Sequence, residues 1–126
     1  MGKTIRVLKV APGEHPMETT LVNDLDELQK AVSIGASYQG LIEIIEIEDG
    51  VCILCNEEGK LIGLEGNRRI GTDIITGVFY VTGEDDDGDL ASLPADMIEK
   101  YMLRFWKIES FSEDDIMKSI SRGRKA

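Results

Sequence analysis

Residues 41–55, LIEIIEIE-DG-VCILC, constrain the fold of this chain more than any other stretch. Two runs rich in isoleucine and valine, types that fit a pleated surface, flank an Asp49-Gly50 pair. Asp-Gly between such runs signals a type I′ turn, so the runs are expected to fold back on one another as a hairpin. The first arm has a fault in its period. Ile42 and Ile44 share one face with Glu43 opposite, and then Ile45 and Ile47 alternate against Glu46 and Glu48. Side chains of a regular strand alternate strictly, so no regular strand places all four isoleucines on one side. Either a β-bulge near Ile44 and Ile45 repairs the register, or the strand is buried on both faces there. If Ile45 and Ile47 are bare only in the monomer, a homodimer interface is the better account.

The hairpin leads into more of the same pattern. Asn56-Glu57-Glu58-Gly59 reads as a turn and residues 60–64 as a second short strand, which delivers the chain to Gly66-Asn67-Arg68-Arg69. Upstream, residues 4–10 (TIRVLKV) are apolar on both faces and read as an interior strand, with residues 17–22 returning antiparallel after a Pro/Gly loop. Asp24, with Glu27 three residues on, reads as a capping box for a helix along Leu25, Leu28 and Val32, stopped by Gly35. Downstream, residues 77–83 (GVFYVTG) form a strand, and Ser92 is expected to cap a helix that carries Pro94 in its first turn. That helix has an apolar face of Met97, Ile98, Tyr101, Met102 and Phe105, and Ser112 with Asp115 starts a last short helix. The expected fold is a single α+β domain over residues 1–108, a mostly antiparallel sheet of about five to six strands packed through one face on two helices. Residues 109–126 are expected to add a short helix and a basic tail carrying Arg122, Arg124 and Lys125.

Charge narrows the function. The 126 residues carry a formal net charge of −10, which argues against direct binding of nucleic-acid phosphates. An acidic surface suits a basic protein partner, and it also suits mere solubility. The acids concentrate at Asp85, Asp86, Asp87 and Asp89, the expected partner surface. No apolar run is long enough to span a bilayer and no signal peptide opens the chain, so a cytoplasmic protein without membrane association is expected.

Motifs for chemistry are sparse. Cys52-Ile53-Leu54-Cys55 matches C-x-x-C, but residues three apart in a strand point to opposite faces, and His15 lies in a distant loop. The acidic loop lacks the EF-hand spacing. No metal, cofactor or catalytic set is expected. Asn67, Arg68 and Arg69, with Phe79 as an aromatic wall, form the candidate ligand site, because arginine beside asparagine can hold a nucleotide-like anion through paired hydrogen bonds. The competing expectation is that Arg68 or Arg69 pairs with Glu57, Glu58 or Asp73.

IRVLKVAPGE, DLDELQKAV, YQGLIEI, CNEEGKLIGLEGNRR, DIITGVFYVTG and SLPADMIEKY, in this order, resemble the domain-of-unknown-function family 3846. Asn56, Gly59, Lys60, Gly63, Leu64, Asn67 and Arg68 match its motif, Arg69 falls where the pattern is loose, and the resemblance ends near Phe105. Members of that family are small proteins of phages, conjugative elements and the bacteria that carry them. The resemblance therefore implies an accessory protein of mobile DNA. The leading expectation is a non-enzymatic protein that binds a basic host protein. The alternatives are a small-molecule binder using Asn67 and Arg68, and an enzyme of unknown reaction.

Overall fold

The computed structural model describes residues 2–122. Strand β1 (Lys3–Val10) is apolar on both faces, and the fold is built to cover both. It lies between β2 (Met17–Asn23) and β7 (Phe79–Glu84), antiparallel to each. β7 pairs in turn with β4 (Val51–Asn56), and β4 with β3 (Ile42–Glu48), giving the order β2-β1-β7-β4-β3. The short β8 (Leu90–Ala91) pairs with the end of β7, where the β1 pairing has stopped.

Each face of the sheet takes one helix. α1 (Leu25–Ala31) begins at Asp24, whose Oδ1 accepts from the Glu27 amide at 3.0 Å. Its Leu28, with Val32 just beyond, covers Ile5, Val7, Leu54 and Tyr80. α2 (Ala95–Arg104) lays Ile98, Tyr101 and the following Phe105 on Leu8, Val10, Ile53, Phe79 and Val81. The single α+β domain is as expected, but its two core helices lie on opposite faces instead of sharing one. The alternating apolar residues of β1 and β4 leave no face that water can be allowed to wet. Ser92 does not cap α2; its Oγ accepts from the Arg6 amide at 2.9 Å, and the helix starts at Pro94 without a side-chain cap.

The β3–β4 hairpin forms with a different turn. Gly50 is left-handed (φ 80°) and Asp49 is not, so the turn is not type I′. The extra residue is absorbed where the register shifts between Glu46 and Glu48, which places the bulge at Ile47 instead of at Ile44 and Ile45. Glu48 pairs with Val51, so the loop is the two residues Asp49 and Gly50, and only the second takes the left-handed conformation that glycine adopts freely. Ile45 and Ile47 accordingly pack against the α2-side core, and Ile44 is left 49% exposed.

Residues 60–64 are not a strand. Gly63 (φ 77°) closes a single helical turn in which the Gly63 amide donates to the Lys60 carbonyl and the Leu64 amide to the Gly59 carbonyl, the Schellman pattern. The glycine-flanked segment is β5 (Gly66–Ile70), paired with β6 (Asp73–Thr76) in a separate two-stranded sheet. α3 (Glu113–Arg122) starts as expected, Ser112 and Asp115 capping each other at 3.0 Å in both directions. Phe111 and Ile116 then pack on Gly66, where an added Cβ would lie 3.0 Å from Phe111. Of the basic tip, Arg124 and Lys125 lie outside the described residues, as does the side chain of Arg122.

Gly77 joins the two sheets at φ 75°, and a Cβ there would meet Leu64 at 2.7 Å. Gly77→Ala combines left-handed strain with overpacking, so urea unfolding should show a loss of about 2–3 kcal/mol. An unchanged unfolding midpoint would overturn this account of the junction.

Candidate functional site

The Asn67-Arg68 pair is drawn into the interior by a bulge. Gly66 opposes Thr76 and Arg68 opposes Ile75, so Asn67 is the unpaired extra residue of β5. The break in alternation turns both neighbouring side chains inward, and each is fully buried. Asn67 Nδ2 donates to the Val10 carbonyl at 2.8 Å and to the Gly77 carbonyl at 2.9 Å. Arg68 Nε donates to the Phe105 carbonyl at 3.0 Å, one terminal nitrogen to the Asn67 carbonyl and to Asn67 Oδ1, and the other to the Glu14 carbonyl at 2.7 Å. Burial pushes the guanidinium's pKa down, opposed by the Glu109 carboxylate. Arginine stays charged regardless, and the Phe105 carbonyl at the C-cap of α2 presents the negative end of a helix dipole to it.

This geometry differs from both sequence expectations. Arg68 is fully buried and faces no open concavity; its guanidinium donates to three main-chain carbonyls and to Asn67 Oδ1. It pairs with none of Glu57, Glu58 or Asp73 either: Asp73 is ion-paired with Lys60 and accepts from the Ile74 amide at 2.9 Å. Phe79 is a core residue, edge-on to Phe105 at 5.2 Å between ring centroids. Arg69 alone of the four is exposed; its guanidinium lies over the Phe111 ring at 5.4 Å, and its amide donates to Glu109 Oε2. The structure thus brings Asn67 and Arg68 together as an internal node and separates Phe79 and Arg69 from it.

The acidic residues behave differently. Asp85 Oδ1 accepts from the amides of Asp87 and Asp89, both at 3.0 Å, and the Asp85 amide donates to the Asp89 carbonyl. The loop is therefore held by Asp85, and all four aspartates are exposed. They have company that spacing along the chain did not reveal. Glu46, Cys52 and Thr82 lie in one row across β3, β4 and β7, and Glu84, two residues beyond Thr82, shares their face. Burial first, then Glu84 and Glu46, push the Cys52 thiol up to about 11. On this same face, a cleft of about 490 Å³ runs between α1, β3 and the acidic loop; Ile42, Ile44 and Leu25 line it beside Asp24, Asp85 and Asp89. Strand parity across the sheet was the signal that would have gathered these acids. A second hollow of about 260 Å³ is lined by Cys55, Glu43, Thr76 and Lys60, the last held by Asp73.

The cysteines sit as expected, buried on opposite faces of β4 and unbridged. Among the described residues no group of His, Cys, Asp and Glu is placed to hold a metal ion, and no helix is long and apolar enough to cross a membrane. His15 has a structural place that its loop did not suggest: it stacks on Trp106 at 4.0 Å and bonds the Trp106 carbonyl through Nδ1 at 2.7 Å.

Two measurements follow from this geometry. Arg68→Ala should cost about 3–4 kcal/mol in urea unfolding, with Arg68→Lys recovering only part, whereas Arg69→Ala should cost less than about 1 kcal/mol. Equal effects at the two arginines would remove the buried node. Neither thiol should react with a disulfide reagent at pH 8 until denaturant is added, since both are buried and Cys52 holds little thiolate there. Stoichiometric labelling of the native protein would contradict their placement.

Comparison with the curated proteins and with the solved structures gives no significant match. A family model does match, over residues 5–106, covering the sheet, α1, α2 and the buried Arg68 node. The chain belongs to the family described as Domain of unknown function (DUF3846).

Proposed function

We propose that this chain is a non-enzymatic accessory protein of a phage or other mobile element, working in the cytoplasm by binding a basic host protein through its acidic surface. The observation that carries the reading is the contrast between the two charged groups of residues. The one conspicuous cation pair contributes Arg68 to the interior, where it holds the fold together. The acids stay outside: Asp85 fixes a loop whose carboxylates face solvent, and Glu46 and Glu84 extend them across one face. A surface of one sign focuses the field on an oppositely charged partner and speeds encounter. The nucleotide-binding alternative is less favoured here, because the Arg68 guanidinium already donates to three main-chain carbonyls and to Asn67 Oδ1.

Neutralising Asp85, Asp86, Asp87 and Asp89 together to asparagine separates recognition from folding. Capture of a basic protein from host lysate, read by mass spectrometry across a salt series, should fall about tenfold at low salt and lose much of its salt dependence. The melting midpoint should move by no more than a few degrees, since exposed charges contribute little to stability. Undiminished capture by the quadruple variant, or a captured partner without basic character, would overturn the reading.

A further inference from the structure

β3 ends the sheet, and its outer edge is built to accept another strand. The Glu57 amide donates to the Leu41 carbonyl at 3.0 Å, which fixes the phase of the β3–β4 ladder. Hydrogen-bonded and non-bonded pairs alternate in an antiparallel ladder, so Ile42, Ile44 and Glu46 aim both their N–H and C=O groups away from β4. Among the described residues none of these outward groups takes part in a backbone hydrogen bond. Sheets commonly blunt such an edge with charged side chains (lysine above all), proline, a bulge or a short strand. β3 has no lysine or proline along its seven residues, its charges are all acidic, and its bulge at Ile47 lies beyond these outward groups. The opposite edge, β2, is more polar; its Glu18 is ion-paired with Arg6, and α1 packs beside it.

The side chains along β3 specify what the edge would accept. On the α1 face Ile42 and Ile44 form the apolar floor of the cleft, with Ile44 half exposed, while Asp85 and Asp89 stand across from them. Glu46 is exposed at the same edge, and Lys3 is the single cation on the cleft wall. A strand laid along β3 would therefore complete the free backbone ladder, place an apolar side chain against Ile44, and bring its neighbours on that face close to carboxylates.

We infer that the edge of β3, with the adjoining cleft, is a strand-addition site for an extended segment of a partner protein in which a β-branched residue is flanked, two positions away on either side, by lysine or arginine, so that all three side chains share the cleft face. This rests on the acidic-surface reading and gives it a location and a binding mode: main-chain pairing supplies affinity and the carboxylates choose the sign of the partner. A second copy of the chain is the wrong occupant on charge, since each copy carries −10.

The test uses the full chain and labelled peptides of about nine residues, long enough to span the strand. One has a central valine with lysine two positions away on either side and threonine between. A second is the same peptide N-methylated at that valine and those two lysines, whose amides face β3 in an antiparallel pairing, and a third replaces lysine with glutamate. Fluorescence anisotropy should show the lysine peptide binding at least about tenfold more tightly than either control. Ile44→Pro removes an outward N–H without touching the β4 ladder, and should weaken the lysine peptide about tenfold while the circular dichroism spectrum is retained. If that variant fails to fold, the N-methylated peptide against the wild type makes the same distinction. Equal binding of the methylated and unmethylated lysine peptides would overturn strand addition and leave the acidic surface standing. Equal binding of the glutamate peptide would overturn the acidic-surface reading itself. A dimer in sedimentation that Ile44→Pro dissolves would assign the edge to a second copy and overturn the proposal.

Discussion

A guanidinium taken wholly out of water must find acceptors for its fork or the fold that buries it will not form. Desolvating such a group costs several kcal/mol, which the Glu109 carboxylate offsets only in part. Arg68 is instead satisfied by oxygens from three separate places: the loop after β1, its own neighbour Asn67, and the end of α2. Two of these bonds span 54 and 37 residues of sequence. Asn67 adds the end of β1 and Gly77. None of these segments can leave without orphaning a buried polar group, so the main sheet, the β5–β6 hairpin and α2 are tied into one cooperative unit. The stacked His15 and Trp106 repeat the same junction a step nearer the surface.

What could be read in the sequence follows from the range of the interactions concerned. The caps of α1 and α3 were legible because Asp24 with Glu27, and Ser112 with Asp115, satisfy one another within a single turn. The two-sided burial of β1 is legible from its own residues, and its consequence is a helix on each face. Gly63 misled because a left-handed glycine closes a Schellman turn as readily as it interrupts a strand. The interior position of Arg68 was not legible at all. It depends on a bulge at Asn67 whose stabilising partners, Val10 and Gly77, lie in other elements. A cation beside many carboxylates suggests an ion pair or an anion site, and only the tertiary arrangement offers carbonyls instead.

The same limit applies to the acidic surface. Four aspartates in one loop are obvious in the sequence, while Glu46, Glu84 and Asp24 join them only because the sheet order brings β3, β7 and α1 to one face. Screening decides whether that gathering matters. At physiological ionic strength, exposed charges act together only within roughly 8 Å of one another, so acids strung along an extended chain would each act alone. Folding converts a compositional excess into a local field. It does so at little benefit to stability, since like charges brought together on a surface repel.

Acids gathered beside an unsatisfied strand edge are therefore difficult to explain as a contribution to the fold alone. Aggregation risk at an isoleucine-rich edge is ordinarily reduced by cations, prolines or bulges that turn the strand away. β3 does have a bulge, but it sits at Ile47, beyond the outward-facing groups of Ile42, Ile44 and Glu46, and it directs Ile45 and Ile47 into the core. The phase of the ladder, not the bulge, leaves Ile44 at the rim of the cleft with its backbone groups turned outward, and among the described residues these make no backbone hydrogen bond. Negative charge repels other copies of the same chain and, by the same sign, favours a basic strand. An edge protected in this way discriminates between occupants instead of refusing all of them, which is the physical content of specificity at a sheet edge.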